Sequence, residues 1–165
     1  MMNNKIEVVD IKSEDESILR SLSIQCEDAL VGNARHFTDN EIHAIANKLV
    51  IPKDGDVNRY RSKFIYVNEE LVGFLAYYQG FPFEKTIWIS AFYLIPEYRR
   101  KGIGSKVMGA MKKNEIDLGY MQFGTILHKY DIMAQKFFER HQFHLDKRTK
   151  EEEMRGFFCT YEFKD

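Results

Sequence analysis

The chain has 165 residues, 44% of them hydrophobic and 30% charged, which is the composition of one globular domain rather than of a disordered chain. Its 24 basic and 25 acidic residues leave a net charge of −1, so no general basic field points to nucleic acid or an anionic membrane, and any anion site has to be local. Two cysteines, Cys26 and Cys159, make no disulfide framework, no stretch is apolar over a bilayer's thickness, and the first ten residues lack a signal-peptide core, so the expected setting is the reducing cytoplasm.

The first strand is expected over Ile6 to Ile11, where Ile6, Val8 and Val9 supply β-branched bulk. Ser13 with Glu16 is a capping-box pair, and Ile18, Leu22, Cys26, Ala29 and Leu30 follow near helical spacing as far as Gly32-Asn33. Thr38 with Glu41 opens a second helix carrying Ile42, Ile45, Ala46, Leu49 and Val50. Pro52 to Asp56 is a loop by composition. Phe64 to Val67 and Leu71 to Tyr78 read as a hairpin joined at Asn68-Glu69-Glu70.

Phe81-Pro82-Phe83 breaks that run, and Thr86 to Ile95 is a nearly continuous apolar strand that should be central. Gly102 or Ile103 opens a helix with Ile103, Val107, Ala110, Met111 and Leu118 on its apolar side, and Gly119 closes it. Met121 to His128 is the next strand. Asp131 is a credible N-cap for a helix bearing Ile132, Met133, Phe137 and Phe138, Lys147 to Glu153 is a charged turn, and Phe157 to Phe163 is a last strand. Helices, a hairpin, then strand–helix–strand–helix–strand predict a single α/β domain over 1–165 with one mixed sheet flanked by helices on both faces.

Chemistry concentrates in Ile95-Pro96-Glu97-Tyr98-Arg99-Arg100-Lys101-Gly102-Ile103-Gly104-Ser105. A buried strand ends at proline, a basic turn follows, and two glycines open a helix whose first N–H groups and positive dipole end suit a diphosphate. Arg99, Arg100 and Lys101 add charge and Ser105 adds a hydroxyl. A dinucleotide fingerprint would need a third glycine where Val107 stands, and a nucleotide-triphosphate loop would need Lys-Ser/Thr after Gly109, where Ala110-Met111 stand. The pattern Arg/Gln-x-x-Gly-x-Gly/Ala is met at every fixed position by Arg99 to Gly104.

This segment resembles the acetyl-CoA-binding motif of the GNAT superfamily of N-acetyltransferases. Asp131 to Phe143 is similar to the family's later motif, with Asp for the usual Asn, Phe138 for the usual Tyr, and no Gly before the last Phe. The likeness runs from about Leu71 to Phe163 in the order of elements. It implies a largely antiparallel sheet whose central strands splay, with the pantetheine arm of acetyl-CoA between the Leu94–Ile95 end of one strand and the Met121 to His128 strand. It implies that the amides of Arg100 to Gly104, with Arg99, Lys101, Ile103 and Ser105, hold the diphosphate, that Leu94 and Ile95 meet the arm, and that Asp131 and Phe138 belong to the same cofactor surface.

The implied reaction is direct attack by a primary amine of a small molecule, peptide or protein on the thioester, with the Leu94 N–H as candidate oxyanion donor. Phe138 has no proton to give to the leaving thiolate, so Tyr130 is the candidate acid. His128, whose ordinary pKa suits the task, is the candidate base, with Glu84 and Glu97 as weaker neighbours. His141-x-x-His144 lacks the partners of a zinc site, so no metal is expected. A non-catalytic acyl-CoA sensor or interaction module of the same fold is the alternative that Phe138 keeps open. The family commonly dimerises, so a homodimer is compatible with the resemblance, although no residue here marks an interface.

Overall fold

The computed structural model describes residues 3–27, 37–149 and 153–160. Among them seven strands form one sheet in the order β1-β2-β3-β4-β5-β7-β6. The strands are β1 (Ile6–Asp10), β2 (Tyr60–Val67), β3 (Glu70–Gln79), β4 (Thr86–Leu94), β5 (Gln122–His128), β6 (His144–Asp146) and β7 (Met154–Thr160). Every neighbouring pair is antiparallel except β4 and β5, which run parallel. The mixed, largely antiparallel sheet is therefore present, with β4 as its middle strand.

Among the described residues four α-helices join the strands: α1 (Glu16–Cys26), α2 (Asp39–Ala46), α3 (Ile103–Asp117) and α4 (Ile132–Arg140). α1 and α2 cover one face. Leu19, Leu22 and Cys26 of α1 and Ile42, Ile45 and Ala46 of α2 are buried. Phe37, just before α2, packs edge-on against Phe74 of β3 and Tyr93 of β4, which are cross-strand partners. Side chains alternate along a strand, so Phe92 and Tyr77 face the opposite side. Phe92 meets Phe137 of α4 there, and Tyr77 meets Glu115 of α3.

Several local signals act as expected. The Thr38 hydroxyl accepts from the Glu41 N–H at 3.1 Å, and Asp131 Oδ1 accepts from the Ala134 N–H at 3.1 Å, so both helix starts are capped by side chains. The hairpin turn is two residues long, Asn68 and Glu69, both at positive φ (49° and 69°), and Glu70 already pairs with Val67. Such a turn twists with the strands it joins.

Other expectations need correction. The box at the start of α1 is made by Asp15, which accepts from the Lys12 N–H, and not by Ser13 with Glu16. α1 stops at Cys26, and Glu27 is already extended; Ala29, Leu30 and Gly32-Asn33 lie outside the described residues, as does the Tyr161–Phe163 part of the last strand. α2 stops at Ala46, so Leu49 and Val50 lie beyond it and are exposed. The buried stripe of α3 is Ile103, Val107, Met108, Met111, Lys112 and Glu115, while Ala110 is exposed and Leu118, past the last turn, is 68% exposed. Two charged residues can lie in that stripe because both have partners. The Lys112 ammonium donates to the His141 carbonyl and lies over the Phe143 ring, and Glu115 accepts from Tyr77 and Gln79. Burial holds the Lys112 amine below its ordinary value, offset by Cys159.

Both thiols are buried. Burial pushes Cys26 up to about 12, against the attraction of Arg99. At pH 8 only about one molecule in ten thousand then carries a Cys26 thiolate, the form that reacts. Native protein at pH 8 is expected to leave both cysteines unlabelled by iodoacetamide, and both should react once urea unfolds it. Rapid labelling of Cys26 in the folded protein would show that the α1 end opens far more often than its packing implies. No helix among the described residues is long and apolar enough to cross a membrane.

Candidate active site

The parallel ladder between β4 and β5 holds from Thr86/Gln122 to Ile89/Thr125 and goes no further. The Thr125 hydroxyl donates to the Ile89 carbonyl at 2.9 Å at that last rung. Beyond it β4 stays with β3 as far as Leu94, and β5 stays with β7 as far as His128, so the two strands part as a V. A β-bulge begins the parting. Ala76 pairs with Ala91 and Tyr77 with Ile89, which leaves Ser90 as an extra residue and bends β4.

The upper leg of the V offers backbone groups. The Ile95 N–H bonds to the Val72 carbonyl at 2.8 Å, so Val72/Ile95 is a hydrogen-bonded pair. Alternation in an antiparallel ladder then turns the peptide groups of Leu94 and Phe92 away from β3 and into the gap. The Leu94 carbonyl is taken by Arg99 Nε at 3.0 Å, and the same guanidinium donates from Nη2 to the Cys26 carbonyl at 2.8 Å. Arg99 thus ties the end of α1 to the end of β4.

After β4 a short 3₁₀ turn, Pro96–Tyr98, leads into the glycines. Arg100 and Gly102 both have left-handed backbones, at φ 60° and 80°. No atom of the described residues outside its own chain neighbours lies within 4 Å of the place where a Gly102 side chain would start, and its left-handed backbone angle is what calls for glycine there. Lys106 N–H to Gly102 O, 3.1 Å, is the first bond of α3. The N–H groups of Ile103, Gly104 and Ser105 precede the helical ladder and point out of its positive end. Gly104 is small for another reason: an added Cβ would stand 3.1 Å from Phe137 Cε2 and 3.6 Å from Phe92 Cε1.

The cationic heads stay at this turn. Arg100 Nη2 lies 3.5 Å from Met133 Sδ, and the Lys101 ammonium lies 5.5 Å above the Tyr98 ring. Ser105 Oγ is 3.1 Å from His141 Nε2, a partner the sequence did not announce. Burial, then Lys112 and Arg140, holds His141 below its ordinary 6.5. It is therefore neutral at neutral pH and adds stability that is present above pH 6.5 and lost as the pH falls through its lower folded value. In its Nε2–H form it donates to Ser105 and leaves the Ser105 proton for an anion. Exposed N–H groups, two left-handed residues and flanking cations fit a diphosphate.

The sequence model of the acetyltransferase (GNAT) family matches residues 21–143. The chain belongs to the GNAT acetyltransferase family. No curated protein is similar enough in sequence to count as a relative. Solved structures share the fold. An acetyltransferase from Thermus thermophilus superimposes with a TM-score of 0.77 at 17% identity, covering 94% of this chain and 97% of that one. The PaiA N-acetyltransferase of Thermoplasma acidophilum, in complex with coenzyme A, gives 0.71 at 16% identity, covering 95% and 99%. The Salmonella typhimurium acetyltransferase that modifies the N-terminal serine of ribosomal protein L7/L12 gives 0.73 at 15% identity, covering 95% of each chain.

Within this GNAT fold the remaining candidates lie at the far leg of the V. His128 ends β5; its Nδ1 accepts from the Tyr130 N–H at 3.2 Å and its Nε2 is 3.4 Å from Glu153 Oε2. The lone pair that a general base needs is therefore engaged by backbone. Tyr130 is 57% exposed, with the Lys129 ammonium 4.9 Å over its ring. Asp131 serves as the α4 cap. Phe138 is 4% exposed and packs edge-on with Phe143 and Phe137, so in this chain it is a core residue, and the half-buried Phe137 is the ring that borders Gly104. Ile95 is buried at the root of the turn. The Phe92 peptide and Ser90 were not singled out from the sequence, and His141 was weighed there only as a zinc ligand. Strand alternation would have found the Phe92 peptide had the β3–β4 register been known.

Proposed function

We propose that this GNAT protein is an acetyl-CoA-dependent N-acetyltransferase acting on a primary amine. The parting of β4 from β5 directly before the glycine turn carries the reading. One continuous edge then runs from the Phe92 and Leu94 peptides to the open N–H groups of Ile103, Gly104 and Ser105, which suits a ligand with an amide-bearing arm and a diphosphate. In this reading the arm pairs with the Leu94 and Phe92 peptides. Arg100, Lys101 and Ser105 serve the diphosphate, while Arg99 holds the edge in place. Bound acetyl-CoA supplies the activated acyl group; the chain's part is to orient it, to present a backbone N–H to its carbonyl oxygen and to exclude water. His128 and Tyr130 remain the proposed proton carriers, and use of His128 as base requires release of its bond to the Tyr130 N–H.

Calorimetric titration with acetyl-CoA tests the cofactor half. Native protein is expected to bind, and a Gly102→Glu, Gly104→Glu variant is expected to lose at least a hundredfold in affinity, because two carboxylates face the diphosphate, one at a left-handed position and the other against Phe137. Equal binding by the variant would place the cofactor elsewhere. Phe138, closed into the core, favours a second reading, an acyl-CoA-binding module without turnover. Release of CoA in the presence of an amine distinguishes the two, since the module binds without releasing thiol.

A further inference from the structure

β4 is the middle strand of the sheet, yet its Ser90 is exposed. The bulge explains this: Ser90 has no cross-strand partner, and bulges re-aim side chains. It lies one residue past the last β4–β5 rung, where the V opens. Its hydroxyl donates to the Ala76 carbonyl at 3.3 Å.

Two further hydroxyls lie on β2, where Ser62 is the cross-strand partner of the same Ala76. Tyr60 is 0% exposed and Ser62 3%, and among the described residues neither Tyr60 Oη nor Ser62 Oγ has a hydrogen-bond partner. Buried polar groups are almost always satisfied, so each unsatisfied one calls for an explanation. Alternation puts Tyr60, Ser62 and Phe64 on one face of β2, and Phe64 pairs with Phe74, which stacks on Tyr93. This is the face of α1 and α2, opposite to Phe92 and α4. The Tyr60 phenol lies beside the Ser90 hydroxyl, and burial keeps it protonated.

The three hydroxyls offer different chemistry. The Ser90 proton is committed to a carbonyl, so its oxygen is left to accept an N–H. Tyr60 and Ser62 have protons that no acceptor among the described residues receives in hydrogen-bond geometry, so they call for an oxygen, directly or through one water. We infer that Ser90, Tyr60 and Ser62 form the acceptor subsite, and that the acceptor is a primary amine with a hydroxyl or carbonyl oxygen close to its nitrogen, as in an amino-acid amide or a peptide N-terminus. The inference rests on the acetyl-CoA reading above and deepens it. An amine that gives an N–H to Ser90 keeps its lone pair for attack, and it approaches from the face opposite to Phe92.

Serinamide is the probe and propylamine its control. Serinamide is expected to raise the melting temperature of the CoA-saturated wild type and to be acetylated at least about tenfold more efficiently than propylamine, about the worth of one good hydrogen bond. Ser90→Ala should lose the shift and about tenfold or more in kcat/KM for serinamide with acetyl-CoA affinity unchanged, and Ser90→Thr, which keeps the oxygen, should restore both. Tyr60→Phe, which removes an orphaned hydroxyl, should raise the melting temperature of the ligand-free protein while flattening the preference for serinamide. A protein that binds acetyl-CoA but shows no serinamide shift, or whose Ser90→Ala and Tyr60→Phe variants handle serinamide like wild type, overturns the subsite alone. Failure of the wild type to bind acetyl-CoA overturns the underlying reading and the subsite with it.

Discussion

Gly73→Ala is expected to cost the fold about 3 kcal/mol and to weaken acetyl-CoA binding in the same protein. Gly73 is buried in β3 opposite Leu94. A Cβ there would stand 2.2 Å from the Tyr93 carbonyl oxygen and 3.2 Å from the Leu94 Cα. Both are backbone atoms, which cannot swing aside as a side chain would. Relief requires the end of β4 to move, and that end is the edge whose Leu94 peptide faces the gap. The urea midpoint and a calorimetric titration, run on one preparation, check both halves. A large loss of stability with acetyl-CoA affinity intact would mean that the arm does not use the Leu94 edge.

The second large effect is expected at Glu115. Its carboxylate is buried, 4% exposed, and accepts from Tyr77 Oη at 2.9 Å and from Gln79 Nε2 at 2.8 Å. Burial first, then the charge and hydrogen bond of this carboxylate, push the Tyr77 phenol well above its ordinary value, so it stays a donor. Glu115→Ala leaves two buried donors without acceptors and is expected to destabilise by about 3–4 kcal/mol. Glu115→Gln is expected to cost about 1 kcal/mol or less, because its oxygen still accepts from Tyr77 and Gln79 can turn its amide to receive the new NH₂. Chemical denaturation of the two variants checks the contrast. Equal losses would show that the negative charge, and not the pattern of donors, stabilises this spot.

Legibility in the sequence followed the range of the interaction. Thr38 and Asp131 as caps, the turn after Val67 and the strand–turn–helix around Gly102 are set by residues within a few positions of one another, and all were readable. The phosphate turn was the most readable because its backbone angle, its charge and its helix start are all encoded in about ten consecutive letters. The β6 strand, three residues long, carries too little pattern to announce itself. Lys112 and Glu115 look like solvent-facing charges until the carbonyl of His141 and the donors of Tyr77 and Gln79 are known to lie above them. The bulge at Ser90 is a mismatch between two strands, a property of neither alone. Arg99 was read with its charged neighbours as a phosphate ligand, whereas two of its donors reach backbone 5 and 73 positions away.

That reach of Arg99 makes one side chain a rigid strut. The last carbonyl of α1 and the last carbonyl of β4 are held by adjacent nitrogens of one planar guanidinium, so their separation cannot drift without breaking a bond. α1 lines the face from which the acceptor is proposed to enter, and the end of β4 is the proposed seat of the cofactor arm. A ligand that shifts one of these elements is expected to change the affinity for the other, and any such coupling is equal in both directions. In Arg99→Lys a single ammonium replaces the fork, and the two binding events should become independent of each other even where each one survives.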